Sequence, residues 1–188
     1  MNTKYAIKIP DTVSFFYNTK KNILTFKGPL SQKSFKLKIK ITISKTNKLL
    51  KLTTLPFLKM SNHEKKKLKA IRKFTITLLK KLIIETNTII YKKLNVVGVG
   101  YRIFKVDNFE EKLLLLKLGY SHPIYFRIPN NLKIFCLKFT KIFISGNSYE
   151  EILLTASLLK KNKLPEPYKG KGILYENEKI LLKQGKKI

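Results

Sequence analysis

The chain reads as an α+β protein of two tandem, similar domains, each a small and mostly antiparallel sheet packed on a helix. Three observations lead there. Phe35-Lys36-Leu37-Lys38-Ile39-Lys40-Ile41-Thr42-Ile43 alternates strictly between apolar and polar residues, the period-two signature of a half-buried antiparallel strand. Ser61-Asn62-His63-Glu64, and later Ser148 with Glu151, have the spacing of a capping box that opens a helix. Ile9-Pro10-Asp11-Thr12-Val13 is echoed by Ile128-Pro129-Asn130-Asn131-Leu132, which points to an internal duplication.

In the alternating strand, Phe35, Leu37, Ile39, Ile41 and Ile43 share the core face, and Lys36, Lys38 and Lys40 share the outer one. Residues 48–53 return beside it across a polar turn at 44–47, forming a hairpin. A long basic helix over 62–85 follows, with Leu68, Ile71, Leu78, Leu79 and Leu82 as its core stripe. Asn87 and Thr88 interrupt that pattern. They divide the chain into an N-terminal domain, 1–87, and a C-terminal domain, 88–188, each long enough to hold a small core.

The second half opens with a strand over 94–106, turns at Asp107-Asn108 and returns over 112–118. Gly98 and Gly100 resemble part of a dinucleotide fingerprint, but Ile103 stands where the third glycine belongs and no helix follows. These glycines therefore mark a bulge or a close backbone approach, with Arg102 available to a phosphate. Further strands fall at 124–128 and 132–139, and 142–146 closes the sheet as a last edge. The second helix starts after Ser148, buries Ile152, Ala156 and Leu159, and ends near Lys161.

Forty Lys and Arg against 11 Asp and Glu leave a formal charge of +29 on 188 residues. A polyanionic partner is implied, and nucleic acid is the commonest one. The apolar fraction of 44% belongs to a folded protein rather than a basic tail. Only three of the 40 basic residues are arginines (Arg72, Arg102, Arg127), so phosphate contact by lysine point charges prevails over bidentate base reading. Cys136 alone excludes an internal disulfide, and with His63 and His122 it makes no ordinary zinc site, so neither metal nor cofactor is expected. No Ser-His-Asp set, phosphate loop or working carboxylate pair can be assembled. His122, just before Pro123, reads as a turn residue, and the chain reads as neither an enzyme nor a binder of small-molecule substrates.

No run approaches the roughly 18 apolar residues of a membrane span. The first residues show neither an apolar signal core nor an Arg-rich amphipathic helix, so the chain is expected to be mature or made where it works. Usage rich in Lys, Ile, Asn, Phe and Tyr and poor in Arg, Ala and Gly matches AT-rich codons and points to an organellar or AT-rich bacterial gene.

The most informative segment is Pro165-Glu166-Pro167-Tyr168-Lys169-Gly170-Lys171-Gly172-Ile173. Each proline fixes its own φ and pushes the residue before it toward an extended conformation, which aims Tyr168 reproducibly. Gly170 and Gly172 permit positive φ or a close approach. Lys169 and Lys171 add cations beside the exposed backbone, a combination suited to phosphate.

Val97-Gly98-Val99-Gly100-Tyr101-Arg102, Leu118-Gly119-Tyr120-Ser121-His122-Pro123 and the segment 165–173 together resemble large-subunit ribosomal protein six of the bacterial and organellar type. The match is fullest in the C-terminal half. The resemblance implies a non-catalytic scaffold of two α+β domains, whose C-terminal domain binds large-subunit rRNA near the sarcin-ricin region, on the side where translation factors dock. It assigns the rRNA contact to Tyr168, Lys169, Gly170, Lys171 and Gly172, with the basic end bearing Lys183, Lys186 and Lys187 assisting; Arg102, available to a phosphate, and Lys163, a basic residue beside Leu164, complete the expected set. Neighbouring large-subunit proteins are the other expected partners, and no membrane is. Leu164 and Leu174 stand where the family commonly has basic residues. Composition leans toward the mitochondrial matrix, in the mitochondrial ribosome, with a plastid or the bacterial cytoplasm as alternatives. The competing reading is a basic RNA-binding or membrane-surface module outside the ribosome, built on the helix over 62–85.

Overall fold

Alternating apolar and polar residues build sheets in both halves of the chain, and one amphipathic helix closes the core of each. The computed structural model describes residues 5–39, 41–44, 48–52, 61–106 and 112–185. It divides into two units, Met1–Thr88 and Ile89–Ile188.

In the first unit, β1 (Ala6–Lys8), β2 (Ser14–Asn18), β3 (Ile23–Lys27), β4 (Gln32–Lys36), β5 (Ile41–Ser44) and β6 (Leu49–Leu52) precede α1 (Asn62–Asn87). The strands form two three-stranded antiparallel sheets, ordered β2-β3-β4 and β1-β6-β5. Leu24, Phe26, Leu50 and Leu79 are sealed from solvent between them and α1. The capping box of α1 forms: Ser61 Oγ accepts the Glu64 amide at 3.3 Å, and the Glu64 carboxylate accepts the Ser61 amide at 3.0 Å. The fully buried face of α1 carries Thr75, Leu79 and Ile83, while Leu68, Ile71, Leu78 and Leu82 lie half-buried at its margins. The same helix buries the Glu85 carboxylate, which is paired with Lys33 at 2.6 Å and Lys81 at 3.9 Å, as a buried charge requires.

The second unit holds β7 (Ile90–Val97), β8 (Arg102–Val106), β9 (Leu113–Lys117), β10 (Ile124–Arg127), β11 (Leu132–Lys138), β12 (Lys141–Gly146), α2 (Tyr149–Asn162) and β13 (Gly172–Tyr175). One sheet runs β10-β9-β8, and the other β11-β12-β7-β13. The core is formed by Leu94, Leu114, Leu116, Ile144, Ile173 and the α2 residues Ile152, Ala156 and Leu159.

The two units trace the same antiparallel circuit, entered at different points. The sheet β1-β6-β5 corresponds to β10-β9-β8, and β2-β3-β4 corresponds to β11-β12-β7. The Ile-Pro echo makes identical bonds in both: Ile9 and Ile128 donate to Lys48 O and Lys112 O at 3.0 and 2.9 Å, and Val13 and Leu132 donate to Pro10 O and Pro129 O at 3.1 and 3.0 Å. Leu37 and Val96 likewise donate to Asn22 O and Thr140 O, both at 2.8 Å. The shift of entry point explains why Gly28 is separated from its helix by a hairpin whereas Gly146 leads almost directly into one. β13 has no counterpart among the described strands of the first unit.

Four expectations change. The single strand over 35–43 is two strands in different sheets, β4 and β5, because the chain turns a corner after Leu37, which is buried and hydrogen-bonded to Asn22 O. The strand over 94–106 breaks at the equivalent corner, where Gly98 and Gly100 take φ of 154° and 77°, values that favour glycine. β12 is an inner strand, since β7 and β11 flank it. Ser148 makes no side-chain cap; Glu151, its expected partner, instead accepts from Asn131 at 3.4 Å. The hairpin β5–β6 is present, with Ile41 opposite Leu52. Lys40 and the turn residues 45–47, 107 and 108 lie outside the described residues.

Candidate nucleic-acid interface

The three sequence motifs meet at one corner of the second unit. Tyr101 from the first, Tyr120 from the second, and Lys163, Leu164, Glu166 and Lys171 around the third line a cleft of about 430 Å³. The glycines explain how Tyr101 fits. A Cβ on Gly98 would lie 2.6 Å from the Tyr101 ring, and one on Gly119 would lie 2.8 Å from it. Two missing side chains thus hold one ring. Tyr120 donates to Asn162 O at 3.1 Å, stacks with His122 at 6.0 Å between centroids and carries Lys163 Nζ 4.3 Å above its ring, a cation-π distance.

The Pro165–Ile173 loop is braced by its own backbone. Glu166 donates to Lys171 O at 2.9 Å, Gly170 donates to Glu166 O at 2.9 Å, and Ile173 donates to Lys163 O at 2.9 Å. At the loop's exit, β13 pairs with β7, Gly172 lying opposite Val97. Lys183 donates its amide to Pro167 O at 2.9 Å, which lays the backbone at Lys183 against the loop. Tyr168 and Lys169 remain exposed at the loop's tip.

Among the expected contact residues, Tyr168, Lys169, Gly170, Lys171, Lys163 and Lys183 are thereby brought together. Gly172 is buried, and a Cβ there would lie 2.7 Å from Pro165 Cα and 2.8 Å from Leu164 C and O. Its close approach is to its own loop, so it shapes the surface instead of forming it. Arg102 is exposed at the start of β8, beside Tyr101 in sequence but outside the cleft lining. Lys186 and Lys187 lie outside the described residues. Tyr101 and Tyr120 were absent from the expected set; the ring of Tyr101 packs on Gly98 and on Gly119, which the fold brings to it from a different motif.

The corner is cationic: among the described residues Lys161, Lys163 and Lys171 line the cleft, with Glu166 as the one carboxylate. The Cys136 thiol stands apart in β11, half-buried, and burial raises its pKa so that it stays protonated at neutral pH. Among the described residues no helix is long and apolar enough to cross a membrane.

A doubled sheet-and-helix circuit with a cationic, tyrosine-lined loop corner defines a basic α+β scaffold protein. Residues 97–176 match the family model of ribosomal protein L6. The chain is 42% identical over 184 residues to the large ribosomal subunit protein uL6 of Mycoplasmoides gallisepticum, covering 96% of this chain and 93% of that one. It is 40% identical to uL6 of Mycoplasma genitalium over the same shares, and 33% identical to uL6 of Clostridium beijerinckii over 97% and 95% of the two chains. The chain belongs to the ribosomal protein L6 family, of the bacterial type, whose members are structural and not enzymatic.

Proposed function

We propose that this chain is a structural constituent of the large ribosomal subunit that grips large-subunit rRNA through the loop corner of its C-terminal domain, residues 88–188, with residues 1–87 as a supporting domain. The contact falls near the sarcin-ricin region, on the side where translation factors dock, and neighbouring large-subunit proteins pack around it. The observation that carries this reading is the convergence of the three motifs on one braced cationic corner. Such a corner binds by electrostatics and shape. Lys163, Lys169, Lys171 and Lys183 meet phosphates, Tyr168 offers a ring to an unpaired base, and Arg102 reaches a flanking phosphate. Gly170 and Gly172 set the loop's path, and Lys186 and Lys187 extend the basic end.

AT-rich residue usage suits a mitochondrial ribosome and an AT-rich bacterium alike. The bacterial origin of the relatives named above favours the bacterial cytoplasm over the mitochondrial matrix.

The test is the salt dependence of rRNA binding by Lys169→Ala/Lys171→Ala. Each lost phosphate contact removes roughly 0.9 from the slope of log affinity against log salt, so the double variant is expected to bind more weakly with a slope flatter by about one to two units. An unchanged slope sinks the assignment of the loop.

A further inference from the structure

We propose that the outer face of the sheet β11-β12-β7 is a second RNA surface, on which unpaired bases stack. Sheet faces that are not packed on a core ordinarily carry polar residues, and large exposed apolar patches mark sites of interaction. This face instead carries a row of rings. Phe135 lies directly opposite Phe143, and Phe143 opposite Lys93. Tyr91 stacks on Phe143 with centroids 5.1 Å apart and planes 22° from parallel, and Phe135 follows at 6.5 Å. Tyr91 and Phe135 are 55% and 51% exposed, so much of each ring's surface stays open.

The charges around the rings identify the occupant. Strand alternation places Lys133 on the same face one step beyond the ring row, opposite Ser145, and Lys141 one step before it, opposite Asn95. Both lysines are exposed. Glu176, at the sheet edge, is neutralised by Lys93 at 3.1 Å, and Lys93 also sits 5.7 Å from the Tyr91 ring centroid. Rings interleaved with cations on an open sheet suit single-stranded nucleic acid: bases stack on the aromatic faces while phosphates meet the lysines. A partner protein's apolar face would leave those cations facing it unmatched. The surface is independent of the loop corner, sharing no residue with it.

The test uses the full chain carrying Lys169→Ala/Lys171→Ala, which weakens the loop's contribution, and a single-stranded RNA of about eight nucleotides. An abasic oligonucleotide of the same length keeps the phosphates and lacks the bases. The base-bearing strand is expected to bind more tightly than the abasic one. Tyr91→Leu and Phe135→Leu are each expected to weaken it about tenfold without changing the salt slope, since stacking rather than ion release is lost. Phe135→Trp is expected to restore binding, which separates loss of a ring from loss of fold. Lys133→Ala/Lys141→Ala is expected to flatten the slope by roughly 0.7 per lysine. Equal affinity for both strands, or leucine variants that bind as tightly as their parent, would overturn the proposal. So would a Trp variant as weak as the Leu variant.

Discussion

Gly170 and Gly172 sit two residues apart in one loop, yet a methyl group added to each meets different surroundings. At Gly170, with φ of 66°, it would touch only the flexible end of Leu182 at 3.4 Å. At Gly172, with φ of 150°, it would strike Pro165 and Leu164 backbone below 3.0 Å. Gly170→Ala should therefore cost about 1 kcal/mol from backbone strain, and Gly172→Ala distinctly more, because backbone must move as well. Thermal unfolding of the two variants checks the order; equal costs would contradict the packing assigned to Gly172. Glu178 gives a second prediction at this scale. Lys160 donates to its carboxylate at 2.5 Å and the Tyr175 amide does so at 3.1 Å. These bonds, that from Lys160 foremost, hold its pKa below the ordinary glutamate value of 4.5. Its contribution to stability is complete above that value and is lost as pH falls through the lower folded-state pKa. Glu178→Gln should destabilise the protein by up to about 1 kcal/mol at neutral pH, and the gap between variant and parent should close in acid. A gap that is constant with pH would contradict the assignment.

The helix caps looked alike in sequence and differ in the fold. Ser61 and Glu64 exchange both capping bonds, whereas Ser148 makes none with its side chain. Ser61→Ala should therefore cost about 1 kcal/mol, and Ser148→Ala well under half of that, as denaturant melts of the two variants will show. Spacing reveals that a cap could form, but the competition is settled by tertiary neighbours such as Asn131, which engages Glu151. The strands tell a similar story. Alternation at 35–43 was legible, and Leu37 and Ile41 are indeed buried, but the pattern runs unbroken through the corner between β4 and β5. Period two reports which face is buried and is blind to a change of sheet. In the second unit Gly98 and Gly100 marked the equivalent corner, yet a bulge and a corner call for the same residues. β13 was illegible because it is four residues long, begins at a glycine and is defined by its partner β7 rather than by its own sequence. At Gly28, a Cβ would lie 2.3 Å from Thr86 O at the end of α1. Gly28→Ala should accordingly destabilise the first unit by several times the cost of Gly170→Ala, read from unfolding of that unit.

For the molecule as a whole, charge pointed to the partner and three motifs pointed to the family. The loop residues of the candidate site were legible because prolines, glycines and lysines each act on the backbone or the field directly. Tyr101 and Tyr120 were not, since the ring of Tyr101 is held between Gly98 and Gly119, and Tyr120 reaches Asn162 O, only when segments distant in sequence meet. The charge of +29 is matched by few carboxylates, and of these Asp11, Glu85, Glu176 and Glu178 are already paired with lysines. The remaining cationic surface is what rRNA would neutralise. The most direct measurement is crosslinking of the protein to RNA in its native extract, with sequencing of the RNA attached at residues 168–173. Crosslinks confined to one region of large-subunit rRNA are expected. Crosslinks scattered over unrelated RNAs, or none from this loop, would contradict the account.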